Sequence, residues 1–234
     1  MAVHVHLLPS LFEPEDLSGG VAVMIDVLRA SSTICTALDN GAEAVVPLLD
    51  PEEALRRAAS EGGLSGGERG GEPIEGFDFG NSPSSYGPAA VRGRTVFFTT
   101  TNGTRALGRM RNAEEVFVGG FVNRDAVTDR LRGEARDVHL VCAGTDGHVT
   151  AEDVLFAGAV ASDLLDVVRP QDPLGTQLAT HLYFGTPDLD EAVRAGLGGR
   201  NLIRLGLSAD IDDALSENTT AVLPRLDGER LVAG

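Results

Sequence analysis

The sequence predicts a layered α/β fold, α/β/α, with a largely parallel sheet and a helical C-terminal part. Short apolar runs rich in β-branched residues recur along the chain, helical stretches alternate with them, and the runs are apolar throughout, as strands buried on both faces require. The runs are Val21 to Ile25, Ala44 to Leu48, Thr95 to Phe98, Val116 to Val118 and Val138 to Cys142. His4 and His6 alternate on a further expected strand. Between the runs, Pro51 to Ala59, Thr104 to Arg111 and Ala126 to Leu131 read as helices. The stretch from Glu61 to Pro88 is dense in Gly, Pro, Ser and Asn and reads as a long functional loop, which Ile74, Phe77, Phe79 and Tyr86 pack in place. A long helix is expected from Thr150 to about Val168, with further helices over Thr176 to Leu205 and Asp210 to Leu215. "AVLPRLDGERLV" reads as a hairpin turning at Asp227-Gly228. No repeat or linker divides the chain, so residues 1–234 are expected to form one domain.

Composition excludes several functions. The 234 residues carry a formal charge of -16, and no basic block offsets it, so nucleic acid and anionic membrane surfaces would be repelled. All 19 basic residues are Arg. Without lysine the chain can be neither a Schiff-base enzyme nor a P-loop NTPase. Anion recognition is left to Arg and backbone amides. Cys35 and Cys142 lie within or beside apolar runs and read as core residues. The start, "MAVHVHLLPS", lacks the pattern of a signal peptide, and no run approaches the ~18 apolar residues of a membrane span. A soluble cytoplasmic protein is expected.

The chemistry-bearing residues cluster where strands give way to helices, the place where open α/β sheets bind ligands. Asp26 ends the first long apolar run, and Arg29, Ser31, Ser32 and Thr33 follow as a helix begins. Such a turn offers free amides and a positive dipole end to an anion, although an ordinary N-cap explains it as well. "TTTNGTRAL" repeats the arrangement with Asn102, Gly103 and Thr104, and "GGFVNRDAV" offers Asn123 and Arg124. Asp26, Glu68, Asp78, Glu152 and Asp153 all fall at strand ends, in the Gly-rich stretch or at a helix start. Carboxylates beside anion-binding turns call for a hard cation between them, such as Mg2+. Glu152 and Asp153 also complement a helix dipole.

Spacing excludes the common phosphatase designs. Leu28 occupies the position, two residues after Asp26, where a haloacid-dehalogenase-type enzyme needs a second Asp. A cysteine phosphatase needs Arg six residues after its Cys, but Gly41 and His148 stand there. No "RHG" occurs, and the five histidines show no metal spacing.

Taken together, "IDVLRASSTI", "GGERGGEPIEGFDFGNSP", "TTTNGTRAL", "GGFVNRDAV" and "CAGTDGHVTAEDVLFAG", in this order, resemble the 2-phosphosulfolactate phosphatase (ComB) family over about Val21 to Gly158. The resemblance implies an α/β enzyme that uses Mg2+ to hydrolyse 2-phospho-3-sulfolactate to 3-sulfolactate and phosphate, a step toward coenzyme M. On that reading Mg2+ binds through Asp26, with Glu68 and Asp153 next. Ser31, Ser32, Thr33 and Asn102 to Thr104 supply donors to transition-state charge. Arg29, Arg69, Asn81 and Ser82 hold the phosphate or sulfonate, and Asn123 orients the carboxylate. The nucleophile is a metal-activated water with a carboxylate base, with direct attack by Asp26 or Ser32 as alternatives. So small and anionic a substrate needs a locally positive site on this acidic chain, for which Arg29, Arg69, Arg105 and Arg124 are candidates. A phosphatase or phosphotransferase on another small phosphorylated acid and a non-catalytic sensor of anionic metabolites are the competing functions; the sequence leaves the oligomeric state open, and exposed sheet edges with a helical C-terminal region are compatible with a homodimer.

Overall fold

Five successive apolar residues form strand β2 (Val21–Ile25), and all five are buried. Val21, Val23 and Ile25 join one hydrophobic cluster, and Ala22 and Met24 join another. Successive side chains leave a strand on opposite faces, so the clusters lie on opposite sides of the sheet. The computed structural model, which describes residues 1–165 and 171–234, therefore has three layers, helix on sheet on helix. One face carries α5 (Arg124–Leu131), α6 (Ala151–Leu164), α7 (Leu174–Phe184), α8 (Leu189–Ala195), α9 (Leu197–Arg204) and α10 (Ala209–Leu215). The other carries α1 (Ala30–Asp39), α3 (Pro88–Val91) and α4 (Gly103–Arg109). Helix α2 (Pro51–Glu61) starts where Asp50 accepts from the Glu52 amide and sets Ala54 and Ala58 against Val46 and Phe97.

The remaining strands are β1 (Val3–His6), β3 (Ala44–Pro47), β4 (Leu64–Arg69), β5 (Glu72–Pro73), β6 (Thr95–Thr99), β7 (Glu115–Gly119), β8 (Val138–Cys142), β9 (Pro224–Asp227) and β10 (Arg230–Ala233). They form a ten-stranded, mostly parallel sheet in the order β1-β8-β2-β7-β9-β10-β3-β6-β4-β5. Within β1-β8-β2-β7 every pairing is parallel, and so is every pairing within β3-β6-β4. The β9–β10 hairpin sits between these blocks and pairs antiparallel on both sides, through Phe117 with Arg225 and Leu231 with Val45. Three antiparallel steps in a row reverse the sense, so the two parallel blocks run in opposite directions. Met24 from one block and Val96 and Phe98 from the other nonetheless share one core with α1 and α4.

The expected strands and helices are present, β2 and β8 with the expected ends and the others, apart from the end of α6, with ends shifted by one or two residues. The stretch from Glu61 to Pro88 is not one loop: it contains β4, β5 and a turn of 3-10 helix at Pro83–Ser85. Its glycines serve close approach within a strand. A Cβ on Gly66 would stand 2.3 Å from the Tyr86 hydroxyl, and one on Gly67, at φ +134°, would stand 1.8 Å from the Thr99 carbonyl oxygen. The hairpin turns one residue later than expected: Asp227 pairs with Arg230, and the two-residue turn is Gly228-Glu229, with Gly228 at φ +61°. Positive φ at the first turn position is the type II′ requirement that glycine meets. Helix α6 ends at Leu164, and the expected extension over 166–168 lies outside the described residues. Cys35 and Cys142 are buried and unpaired, and burial pushes both thiols up. No helix among the described residues is long and apolar enough to cross a membrane.

Leu231 is wholly buried at the seam between the blocks. Truncating Leu231→Ala should cost about 2–5 kcal/mol, the range for buried Leu. Urea unfolding would measure it, and a loss below about 1 kcal/mol would show that the seam is not a packed core.

Candidate active site

Asp26 follows the last residue of β2, and its surroundings close a tight turn. Its backbone N–H donates to the Ser31 hydroxyl at 2.9 Å, its carbonyl accepts from the Ser31 amide at 2.8 Å, and Oδ1 accepts from the Ala30 amide at 3.3 Å. The Leu28–Arg29 peptide bond inside this turn is cis. Asp26 is 7 % exposed, and among the described residues no hydrogen bond reaches Oδ2. Helix α4 starts against that oxygen: a Cβ on Gly103 would stand 2.8 Å from it, so only glycine lets the helix come so near.

Three further carboxylates are buried nearby, each held differently. Glu68, at the end of β4, accepts from the Thr101 amide at 2.7 Å, the Gly71 amide at 2.6 Å and the Thr101 hydroxyl at 3.2 Å. Asp153, in the first turn of α6, accepts from the Val27 amide on Oδ1 and the Gly144 amide on Oδ2, both at 2.9 Å. It therefore clamps the turn after β2 to the turn after β8. Glu152, one residue earlier, has a buried Oε2 with no partner. Burial, then the charges of Asp153 and Glu68, push the Asp26 carboxyl up to about 8. Burial and the Asp26 charge push Glu152 up to about 7. Burial and the Glu152 charge push Asp153 up to about 7 against its two amide donors.

Asp26 and Glu68 open onto a cleft of about 490 Å³. Arg29, Asn81 and Asn102 line it as well, as do the Thr145 to His148 loop after β8 and one side of α9. Of the residues singled out in the sequence, these five line the cleft; Arg105 is exposed outside it, Glu152 is buried outside its lining, and most of the others are engaged elsewhere. Ser31 closes the Asp26 turn, and Ser32, with no exposed surface, donates to the Val27 carbonyl, so its hydroxyl is neither a free donor nor an accessible nucleophile. Thr33 donates to the Asn81 carbonyl and holds that residue at the cleft. Thr104 bonds to Thr100 at the start of α4. Arg69 points away, donating to the carbonyls of Glu68 and Leu49 and to the Thr99 hydroxyl. Asn123 lies outside the cleft with both ends of its amide used, accepting from Gly120 and donating to Val118 and Val222. Ser82 donates to Asp210.

Arg29 lines the cleft, but its charge is already met. One nitrogen lies 2.5 Å from Asp210 of α10 and 3.1 Å from the Ser82 hydroxyl, and the other donates to the Gly71 carbonyl. Arg124 is paired with Asp163 and Glu217. The positive charge facing the cleft comes instead from Arg200 and Arg204 of α9, which sequence reading overlooked. The available signal was "GLGGRNLIR": two glycines inside a helical stretch mark close packing, here on Glu152 and on the Val193 carbonyl.

Among the described residues, no group of three or more His, Cys, Asp and Glu side chains is arranged to hold a metal by itself. The donor set nevertheless fits a hard cation that takes few protein ligands, because buried acids with a partnerless oxygen need a positive charge.

A family model for 2-phosphosulpholactate phosphatase matches residues 6–229. The chain belongs to the 2-phosphosulfolactate phosphatase family. A relative from Symbiobacterium thermophilum, named a probable 2-phosphosulfolactate phosphatase, is 41% identical over 90% of this chain and 92% of its own length. One from Deinococcus radiodurans with the same name is 40% identical over 100% of this chain and 97% of its own. Another, from Caldanaerobacter subterraneus, is 38% identical over 90% and 89%. The family match thus takes in α9 and β9 as well as the segments around Asp26 and Glu68.

The acid cluster sets a sign for stability against pH. Asp26, Glu152 and Asp153 have folded pKa values above those of the unfolded chain, so the folded state holds protons that unfolding releases. His6 and His139, lowered to about 4 by burial, act the opposite way, but only below their unfolded value of 6.5. From about pH 7 to about pH 8, between the titrations of the histidines and of the buried thiols Cys35 and Cys142, the acids dominate, and without metal the stability should fall by on the order of 1 kcal/mol per pH unit. Asp26→Asn should flatten the upper part of that slope. Chemical denaturation in chelated buffer tests this, and stability rising across the window would refute it.

Proposed function

We propose that the protein is a Mg2+-dependent phosphoric monoester hydrolase that converts 2-phospho-3-sulfolactate to 3-sulfolactate and phosphate, a step of the coenzyme M type. Family membership supports the reaction class. The observation that carries the reading is a buried acid cluster opening onto a cleft that two arginines also line. Such a cleft suits a substrate bearing a phosphoryl group at one end and another anion at the other.

Asp26 and Glu152 are the groups to hold Mg2+, Asp26 because Oδ2 is free of hydrogen bonds and Glu152 because Oε2 has no partner. Glu68 borders the same space with three donors already on it. When bound, the cation supplies Lewis-acid charge to the phosphoryl oxygens. The chain does the rest. The Asn102 side chain accepts from the Asp146 amide and ties the α4 turn to the loop after β8, so the two cleft walls hold a fixed spacing. Asn81, whose buried Oδ1 has no partner, faces the substrate. A carboxylate of the cluster takes the proton of the attacking water as the P–O ester bond breaks, and the leaving alkoxide recovers a proton. Basicity near neutral pH, which burial confers on these acids, is what a general base requires.

Phosphate release from 2-phospho-3-sulfolactate should need Mg2+ and stop on chelation by EDTA, while phospholactate and phosphoglycerate should be poorer substrates. Equal turnover of all three would keep the chemistry and overturn the specificity. No release from any would favour a sensor of anionic metabolites. Asp26→Asn should lower kcat/KM by about 10²–10⁴-fold, the span of acid-base catalysis. Glu152→Gln and Asp153→Asn should separate: the first loses activity without losing stability, and the second loses stability because Val27 and Gly144 lose a charged acceptor. If both variants unfold alike in urea, the division of labour between the two acids is wrong.

A further inference from the structure

Helix α9 lines the same cleft as Asp26 and Glu68, and it brings Arg200, Asn201 and Arg204 to that cleft at spacings i, i+1 and i+4, one side of a helix. Both arginines are exposed, and neither is paired with a carboxylate among the described residues. Arg200 donates to the Ala195 carbonyl and Arg204 to Asn201 Oδ1. Arg29, Arg57, Arg124, Arg130, Arg136 and Arg194 are all taken up by acids. Arg200 and Arg204, like Arg69 and Arg105, are not, and of these four only Arg200 and Arg204 line the cleft. The position of α9 is also fixed against the acids. A Cβ on Gly198 would stand 2.2 Å from Glu152 Oε1, and one on Gly199 would stand 2.1 Å from the Val193 carbonyl oxygen. The first turn of the helix therefore rests on the acid cluster while its later residues carry the arginines. Between the two ends, Asn81 brings a buried and unpartnered Oδ1 to the same cleft.

We propose that Arg200 and Arg204 form the subsite for the second anionic group of the substrate, its sulfonate or carboxylate, and thereby select a multiply charged phosphate ester over a simple one. The proposal rests on the phosphatase reading for its substrate class. Two planar forks of N–H donors suit a tetrahedral or planar oxyanion, and a guanidinium gives up its water more readily than an ammonium. The packing of Gly198 on Glu152 sets the distance between this subsite and the phosphoryl end, so the pair acts as a length gauge as well as a charge filter.

The test compares wild type with Arg200→Ala, Arg204→Ala and the double variant, taking Arg132→Ala as a control that removes the same charge from an exposed position outside the cleft. Calorimetry would read the binding of 3-sulfolactate and of inorganic phosphate, and steady-state assays would read KM and kcat for 2-phospho-3-sulfolactate. Each single variant should weaken 3-sulfolactate about 10-fold and the double variant about 100-fold, as expected for charge-assisted hydrogen bonds. KM should rise in step, phosphate affinity should stay near wild type, and the control should bind 3-sulfolactate like wild type. Unchanged 3-sulfolactate binding in the double variant would overturn the proposal, as would a parallel loss of phosphate binding or an equal loss in the control. If wild type releases no phosphate, the phosphatase reading falls, and the 3-sulfolactate titrations still decide the arginine subsite.

Discussion

Negative charge buried without a counter-ion is the constraint on which this structure turns. Asp26, Glu68, Glu152 and Asp153 share one water-poor region, and there burial and like charge raise the pKa values of Asp26, Glu152 and Asp153. The fold meets the cost unevenly. Two backbone amides satisfy Asp153, and three donors satisfy Glu68. Arg29, the nearest cation in sequence, is directed to Asp210 and not to the cluster. What remains unsatisfied is concentrated on Asp26 and on Glu152 Oε2, and those are the atoms through which a cation can stabilise the protein and act on a substrate.

The sheet places these groups by an unusual route. In an open parallel sheet the ligand-binding turns share one edge because the strands share one direction. Here the two parallel blocks run oppositely, yet Asp26 after β2, Glu68 at the end of β4 and the α4 turn after β6 converge on one cleft. Helix α1 packs into a core supplied by both blocks, and Thr33 on it holds the Asn81 segment. The close approach of α4 to Asp26 depends on a single glycine, Gly103. The geometry of the site is therefore a property of how the blocks are joined, more than of either block.

Much of this is legible in the sequence where short-range physics decides. Apolar runs such as Val138 to Cys142 have one way to be buried, and Asp50 with Pro51 announces a helix start. Asp26 and Glu68 stand out because acids at strand ends are seldom accidental. The hydroxyls of Ser31 and Ser32 mislead, because a Ser/Thr-rich turn looks alike whether it greets a ligand or satisfies its own backbone. Arg69 and Asn123 mislead similarly: their side chains are consumed by carbonyls that only the folded chain brings near. The strand Leu64–Arg69 hides behind its glycines, which mark the approach of Tyr86 and Thr99 and not a loop. The choice of Glu152 over Asp153 as the group left for a cation depends on amides from Val27 and Gly144 that satisfy Asp153, a pairing that neighbouring letters do not reveal. Arg200 and Arg204 belong to a helix far along the chain, and the one local mark is the glycine pair before them, which signals close packing but not what the helix packs on.

The hairpin at the centre of the sheet bears on how the molecule is assembled during synthesis. Most sheets add late-made strands at an edge, so an incomplete chain is already continuous. In this protein the strands of both blocks leave the ribosome before β9 and β10, and the row between β7 and β3 stays open until those two arrive. A nascent chain halted before Pro224 would hold two sheet fragments, each presenting an unpaired inner strand to the solvent and to its neighbours. Joining of the two blocks is thus withheld until the segment from Pro224 to Ala233 has been read out.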